Sequence, residues 1–253
     1  MSEEKMRAAW FESFGEASQV LVLGDLPRSK PAAGEVLIRM RVSAVNPSDV
    51  KKRAGAFPHL LDEGLVIPHS DGAGIIEAVG EGVDAERIGQ RVWVYQAQYA
   101  RRLGTAAQFL SIDESRAIAL PASVPFEIGA CLGIPVMTSH RCVFADGPVD
   151  GLNLLVTGGA GRVGYYAIQW ARAAGANVFA TASNEADEAL CRSLGAIHVV
   201  NHRDPDWAEQ LLNLTGEKMD RVIDVEFGIN LESVLTLIKT SGVIATYSST
   251  QVR

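Results

Sequence analysis

The segment Leu154-Leu155-Val156-Thr157-Gly158-Gly159-Ala160-Gly161-Arg162-Val163-Gly164 decides how the chain is read. A buried-type apolar run ends at Thr157, glycines at 159, 161 and 164 satisfy G-x-G-x-x-G, and a helical stretch over 165–174 follows. In a chain with 24 glycines the spacing alone carries little weight. The strand before it and the helix after it, within one βαβ unit, give it meaning. There, one glycine allows a tight turn, the next lets the backbone approach a pyrophosphate, and the third lets helix and strand pack closely. The anion then rests on the positive end of the helix. Gly159, Ala160, Gly161, Arg162, Val163 and Gly164 are therefore read as a dinucleotide-binding turn.

Outward from this turn the period persists. Strand-like runs at 153–157, 177–182, 197–200, 220–225 and 242–247 alternate with helical runs at 161–174, 184–194, 205–214 and 230–239, the pattern of a parallel sheet with right-handed crossovers. Upstream of Pro121 the texture changes to short strand-like pieces at 19–23, 38–44, 74–79, 91–95 and 107–112, divided by Gly and Pro. The expected fold class is α/β, with a mostly β domain over 1–121 and a Rossmann doubly wound domain over 122–253. Five strands are read where six, in the order 3-2-1-4-5-6, are usual. The final strand is expected to be absent.

The second strand closes at Thr181-Ala182-Ser183-Asn184. An acid there would hold the ribose hydroxyls of NAD and repel the additional phosphate of NADP. Ser183 and Asn184 are instead hydrogen-bonding groups suited to a 2′-phosphate, which favours NADP (NADPH), while Glu185 and Asp187 follow closely. Ser183 is also a preferred helix N-cap, and one residue can serve both purposes.

Composition narrows the function classes. The 253 residues are 47% hydrophobic and 21% charged with a formal net charge of −7, which excludes disorder as the main state. The acidic balance offers no footprint for a nucleic-acid partner. The polar first residues are unlike a signal peptide, and no apolar run approaches the roughly 20 residues that span a bilayer. Cys131, Cys142 and Cys191 form no C-x-x-C pair, which argues against a disulfide framework and for a reducing, cytoplasmic setting.

Asn46-Pro47-Ser48-Asp49, the run from Ser70 to Gly80, Gly133-Ile134-Pro135-Val136-Met137-Thr138 and the glycine loop occur in one order along the chain. Together they resemble the medium-chain dehydrogenase/reductase family, in its zinc-free quinone oxidoreductase (zeta-crystallin-like) branch. The resemblance implies a GroES-like substrate domain, a Rossmann cofactor domain, a cleft between them, and metal-independent reduction of a small quinone or enone by NADPH. It implies a homodimer as well. Zinc-dependent relatives place a cysteine where Asn46 stands and a histidine where Ser70 stands, and the five histidines show no H-E-x-x-H spacing, so no metal is expected.

The same resemblance places Asn46 beside nicotinamide and substrate, where an amide can bond a carbonyl; locally, Asn46 also reads as a turn residue before Pro47. Lys51 stands where many members carry a tyrosine. It would donate a hydrogen bond or proton to a developing oxyanion, or belong to a solvated Lys51-Lys52-Arg53 face. Thr138 matches a cofactor contact, His202 with Arg203 matches a position against the adenosine half, and Tyr247 with Ser248 matches the segment closing over the nicotinamide side. Members continue past the fifth strand and return to the substrate domain; an active reductase, C-terminally short, is the expected reading, and a cofactor-binding protein with little turnover is the alternative. A zinc-type alcohol dehydrogenase relative is the third reading.

Overall fold

The computed structural model describes residues 4–249. They divide into two compact units that meet in sequence between Ile134 and Pro135.

The first unit contains β1 (Lys5–Trp10), α1 (Ala17–Val20), β2 (Val22–Pro27), β3 (Glu35–Ala44), α2 (Pro47–Arg53), β4 (Asp71–Val79), β5 (Arg91–Val94), β6 (Phe109–Asp113), β7 (Ala117–Ala119) and α3 (Phe126–Gly129). β1 and β2 pair antiparallel, and a five-stranded antiparallel sheet runs β6-β3-β4-β5-β7. Val36, Ile38, Ile76, Val92, Leu110 and Ile112 pack inside it. Residues 19–23, expected as strand, instead divide between α1 and β2. Backbone bonds from Val20 to Glu16 and from Leu21 to Ala17 close a helical turn first, and only from Val22 does the chain pair with Trp10 of β1.

The β3–β4 register matters most for function, because it sets Ala44 opposite Asp71. The residues just after β3 therefore lie beside the first residue of β4. Pro47 occupies the first turn of α2, where its missing N–H costs nothing, and the Asp49 carboxylate accepts the Asn46 N–H at 2.8 Å. This bond fixes the chain as it leaves the sheet.

The second unit contains α4 (Met137–Phe144), β8 (Asn153–Val156), α5 (Arg162–Ala173), β9 (Asn177–Ala182), α6 (Glu185–Leu194), β10 (His198–Asn201), α7 (Trp207–Thr215), β11 (Met219–Asp224), α8 (Phe227–Leu237) and β12 (Ile238–Thr246). The sheet is parallel in the order β10-β9-β8-β11-β12, which is 3-2-1-4-5 in order of appearance. Leu154, Val156, Ile168 and Val178 pack on one face, and Leu155, Phe179, Leu211 and Val234 on the other, so both faces are covered as a parallel sheet requires. The order reverses at β8, where such folds bind their ligands. The last strand begins at Ile238, four residues before the expected start, because a register shift against β11 inserts a bulge at which Ser241 takes a φ of 64°. No described helix is long and apolar enough to cross a membrane.

Candidate active site

In the first unit, four buried polar residues gather where β3, α2 and β4 meet: Asn46, Asp49, Ser70 and Asp71. Asn46 Nδ2 donates to Asp71 Oδ2 at 2.9 Å, and the Ile134 N–H donates to the same oxygen at 2.7 Å. Asp71 is fully buried, and its other oxygen has no hydrogen-bond partner among the described residues. Burial pushes its carboxyl up to about 6, opposed by the Ile134 N–H and the Asn46 amide. Burial also raises Asp49 against the Asn46 N–H, His69 and Lys52. A Cβ at Gly133 would fall on the Asp71 carboxylate, which accounts for a glycine beside it.

A hydroxyl relay anchors the first residue of β4. Thr105 Oγ1 donates to the Asp71 carbonyl at 2.7 Å, so it must accept from Ser43 Oγ at 2.8 Å, which in turn accepts from His69 Nδ1 at 2.8 Å. The chain of bonds therefore fixes His69 as the Nδ1–H tautomer. His69 has a φ of 78°, a conformation that costs a non-glycine residue energy and clusters at functional sites.

A cavity of about 800 Å³ opens beside this cluster, within the first unit, lined in part by Ser48, Lys52, Ser70, Gln98 and Ile134. Ser48 and Lys52 lie four apart on α2 and share a face. Lys51, the residue singled out by the resemblance, is exposed; Arg53 bonds the Gly15 carbonyl. Of the three consecutive basic residues, Lys52 alone lines the cavity.

In the second unit the glycine loop leaves β8 at Thr157, whose Oγ1 donates to Asp224 Oδ1 at 2.8 Å. The Gly158 and Gly159 N–H groups are taken by Thr181 Oγ1 and Thr181 O, both at 2.9 Å. The first bond of α5 runs from Tyr165 to Gly161 at 2.8 Å, and among the described residues no side chain caps the helix. The N–H groups of Arg162, Val163 and Gly164 therefore have no intrahelical acceptor. A Cβ at Gly164 would lie 2.5 Å from the Gly158 carbonyl oxygen, and one at Gly159 would lie 2.8 Å from Cys191 Sγ. The tight turn, bare amino end and close packing fit a dinucleotide pyrophosphate.

Ser183, Asn184, His202 and Arg203 gather at the ends of β9 and β10. Ser183 Oγ and Asn184 Nδ2 both donate to Asp187 Oδ2, at 3.2 and 2.8 Å, and His202 N–H bonds the Ala182 carbonyl at 3.1 Å. Burial lowers the His202 pKa, with Arg203 lowering it further and Asp187 opposing. Asn184 caps α6 by accepting from the Asp187 N–H at 3.0 Å. Tyr247 is half-buried and bonds the Asp224 carbonyl through its N–H at 3.2 Å, its phenol pushed up by burial. Ser248 O accepts from Phe227 N–H at 3.3 Å. Thr138 stands half-buried in the first turn of α4.

Two family models match the chain: residues 32–122 match "Alcohol dehydrogenase GroES-like domain" and residues 163–252 match "Zinc-binding dehydrogenase". The chain is 32% identical over 245 residues to the quinone oxidoreductase of Rattus norvegicus, covering 95% of this chain and 72% of that protein. The human quinone oxidoreductase is 31% identical over 95% of this chain and 72% of its own length. Among solved structures, mycobacterial Rv1454c complexed with NADPH is 28% identical with a TM-score of 0.82, covering 96% of this chain and 73% of that chain. An alcohol dehydrogenase superfamily protein from Novosphingobium aromaticivorans is 31% identical with a TM-score of 0.84, covering 98% and 74%.

The protein belongs to the medium-chain dehydrogenase/reductase family. Within that family its relatives include quinone oxidoreductases, and it is an oxidoreductase of their kind.

Despite the family model's name, the donor chemistry does not fit a catalytic zinc. At the two positions the resemblance assigns to metal ligands stand an amide whose nitrogen is turned to Asp71 and a serine. Neither matches the thiolate, imidazole and carboxylate donors that zinc takes. Among the described residues no three His, Cys, Asp or Glu side chains form a metal-binding group.

Proposed function

We propose that the protein is an NADPH-dependent, metal-independent reductase of quinones or enones. The observation that carries this reading is the orientation of Asn46, whose amide is held by a buried carboxylate at the place where zinc-type relatives carry a metal ligand. An amide there offers a hydrogen bond without titrating, and Nδ2 keeps a second N–H beyond the one given to Asp71. Preorganised donors of this kind lower the cost of charge developing on a carbonyl oxygen.

On this reading Gly159 to Gly164 hold the pyrophosphate, Ser183, Asn184, His202 and Arg203 surround the adenosine end, and Thr138, Tyr247 and Ser248 take the nicotinamide side. NADPH, when bound, supplies a hydride to an electron-poor carbon. The chain's own work is to orient the acceptor carbonyl at Asn46 and to keep the reacting groups close. We propose the boundary between substrate and cofactor domains at Pro121, a cytoplasmic setting and a homodimer by family resemblance.

One observation favours NADH as cofactor instead: the Asp187 carboxylate already occupies the hydrogen-bond donors assigned to the 2′-phosphate. The deciding experiment follows nicotinamide absorbance when chelator-treated protein meets NADPH or NADH and a panel of ortho-quinones, para-quinones and enones. Acceptor-dependent loss, faster with NADPH, is expected. Cofactor binding by fluorescence without loss of absorbance from any acceptor would refute the reductase.

A further inference from the structure

The cavity beside α2 contains an ammonium group with little to bind. Lys52 lines it, and its one hydrogen bond among the described residues goes to Gln98 Oε1 at a long 3.4 Å. Gln98 is itself buried and held in orientation by Nε2 donating to the Ile67 carbonyl at 3.0 Å. No ion pair of Lys52 occurs among the described residues. An ammonium has three donors, so at least two point to no protein acceptor.

The other charged groups on the cavity wall already have partners, two of the pairs within the wall itself. Asp62 pairs with His59 at 3.0 Å and Glu63 with Arg102 at 3.4 Å. Arg102 also bonds the Leu65 carbonyl at 2.8 Å, and Arg101 bonds the Ser111 carbonyl at 2.5 Å. One turn before Lys52, the Ser48 hydroxyl is buried, lines the same cavity and has no hydrogen-bond partner among the described residues. Two further wall residues, Gln96 and Ala100, hold φ values of 52° and 54°, the backbone cost that accompanies shaped binding sites. Phe57, Leu60 and Tyr99 add apolar wall for the body of a ligand.

We propose that Lys52, with Ser48, holds an anionic group carried by the acceptor, so that the preferred substrates are enones or quinones bearing a carboxylate. Burial disfavours the Lys52 charge, and Asp49 and Asp71 restore part of it without contact. A ligand carboxylate completes the compensation by direct, charge-assisted hydrogen bonds. The proposal rests on reading this cavity as the acceptor site.

Two probes and two variants test it, with the full chain. The first measurement is calorimetric binding of 3-benzoylpropionate, which cannot be reduced as an enone, against its methyl ester. Wild type is expected to bind the carboxylate about tenfold or more tighter; Lys52→Met brings the ratio toward one, and Lys52→Arg restores most of it. The second is the KM ratio for 3-benzoylacrylate and its methyl ester with NADPH, which should move in the same way.

Equal binding of acid and ester by wild type would overturn the proposal without requiring any variant to fold. So would discrimination that survives Lys52→Met, or a variant that weakens NADPH alone, which would assign the ammonium to the cofactor. If neither enone is reduced but the carboxylate binds in a Lys52-dependent way, the reductase reading falls and the anion site stands.

Discussion

Asn46 and Asp71, 25 residues apart in sequence, meet through a single 2.9 Å hydrogen bond inside the first unit, and the antiparallel register of β3 against β4 brings them together. The bond joins the side chain proposed to hold the acceptor carbonyl to a fully buried carboxylate that, among the described residues, has two donors on one oxygen and none on the other. Burying such a carboxylate costs stability, and the bond it accepts fixes the orientation of the Asn46 amide.

The cost has a pH signature. The Asp71 carboxyl lies at about 6 in the folded protein against 3.8 for the free side chain, so between these values the native state holds a proton that the unfolded chain has released. Stability therefore falls as pH rises through that window, and the full penalty, about 3 kcal/mol, is present above it. Asp71→Asn removes the titration and keeps an acceptor oxygen for Asn46 and Ile134. The difference in Tm between variant and wild type is expected to rise in the variant's favour from pH 4 to 6 and then level off. A difference that is flat across this range would refute the assignment.

Asn46→Ala tests the other end of the bond. It removes the donor proposed to meet developing charge and leaves Asp71 with one hydrogen bond fewer. Loss of one such donor is expected to lower kcat/KM by roughly 10²-fold, while circular dichroism stays native. A variant with wild-type kcat/KM would remove Asn46 from the mechanism.

The alternating architecture and the family motifs were legible in the sequence, and what was missed has a physical cause. The strands of the second unit could be located by hydrophobic period, because a parallel sheet buried on both faces leaves continuous apolar runs, and their order follows from the doubly wound fold class that the glycine loop marks. Asn46 and Ser70 stood out by motif. Asp71 did not, since its importance depends on complete burial and on a cross-strand register that one sequence cannot reveal. Lys52 was hidden among three consecutive basic residues; only the rotation of α2 shows that it faces inward with Ser48. Residues 19–23 were misread because a short apolar run does not distinguish a helical turn from a strand.

Lys51 and Lys52 can be separated directly. The resemblance gives the donor's role to Lys51, whose side chain is exposed, whereas the cavity presents Lys52. Lys51→Ala is expected to change KM for a carboxylate-bearing enone less than twofold, and Lys52→Ala about tenfold. The reverse order would return the role to Lys51.

The loop glycines should fail in graded fashion. An alanine at 164 would press on the Gly158 carbonyl at 2.5 Å, backbone that cannot easily yield, whereas one at 161 would meet the same oxygen at 3.1 Å. Gly164→Ala is expected to lower Tm and to weaken NADPH more than tenfold. Gly161→Ala is expected to retain most stability while still losing affinity, because its added methyl stands at the bare amino end of α5. Equal stability losses in both variants would contradict the close-packing account of Gly164.

Cofactor choice turns on Asp187. Its carboxylate accepts from both Ser183 and Asn184, the two groups proposed for the 2′-phosphate, so an incoming phosphate meets like charge and occupied donors. Asp187→Asn removes the charge while leaving the α6 cap, because Asn184 takes the backbone N–H of residue 187 and not its side chain. The ratio of NADPH to NADH affinity, read by nicotinamide fluorescence, is expected to rise about tenfold. Some stability is expected to go with the change, about 0.5 kcal/mol, since an acid in a helix's first turn interacts well with the dipole. The two effects separate cleanly. A Tm loss with no change in the ratio would mean that Asp187 acts only on α6 and that the 2′-phosphate, if bound, is held by His202 and Arg203. A rise in the ratio with nearly constant Tm would identify the carboxylate as the group that sets how strongly this loop discriminates between the two nicotinamide cofactors.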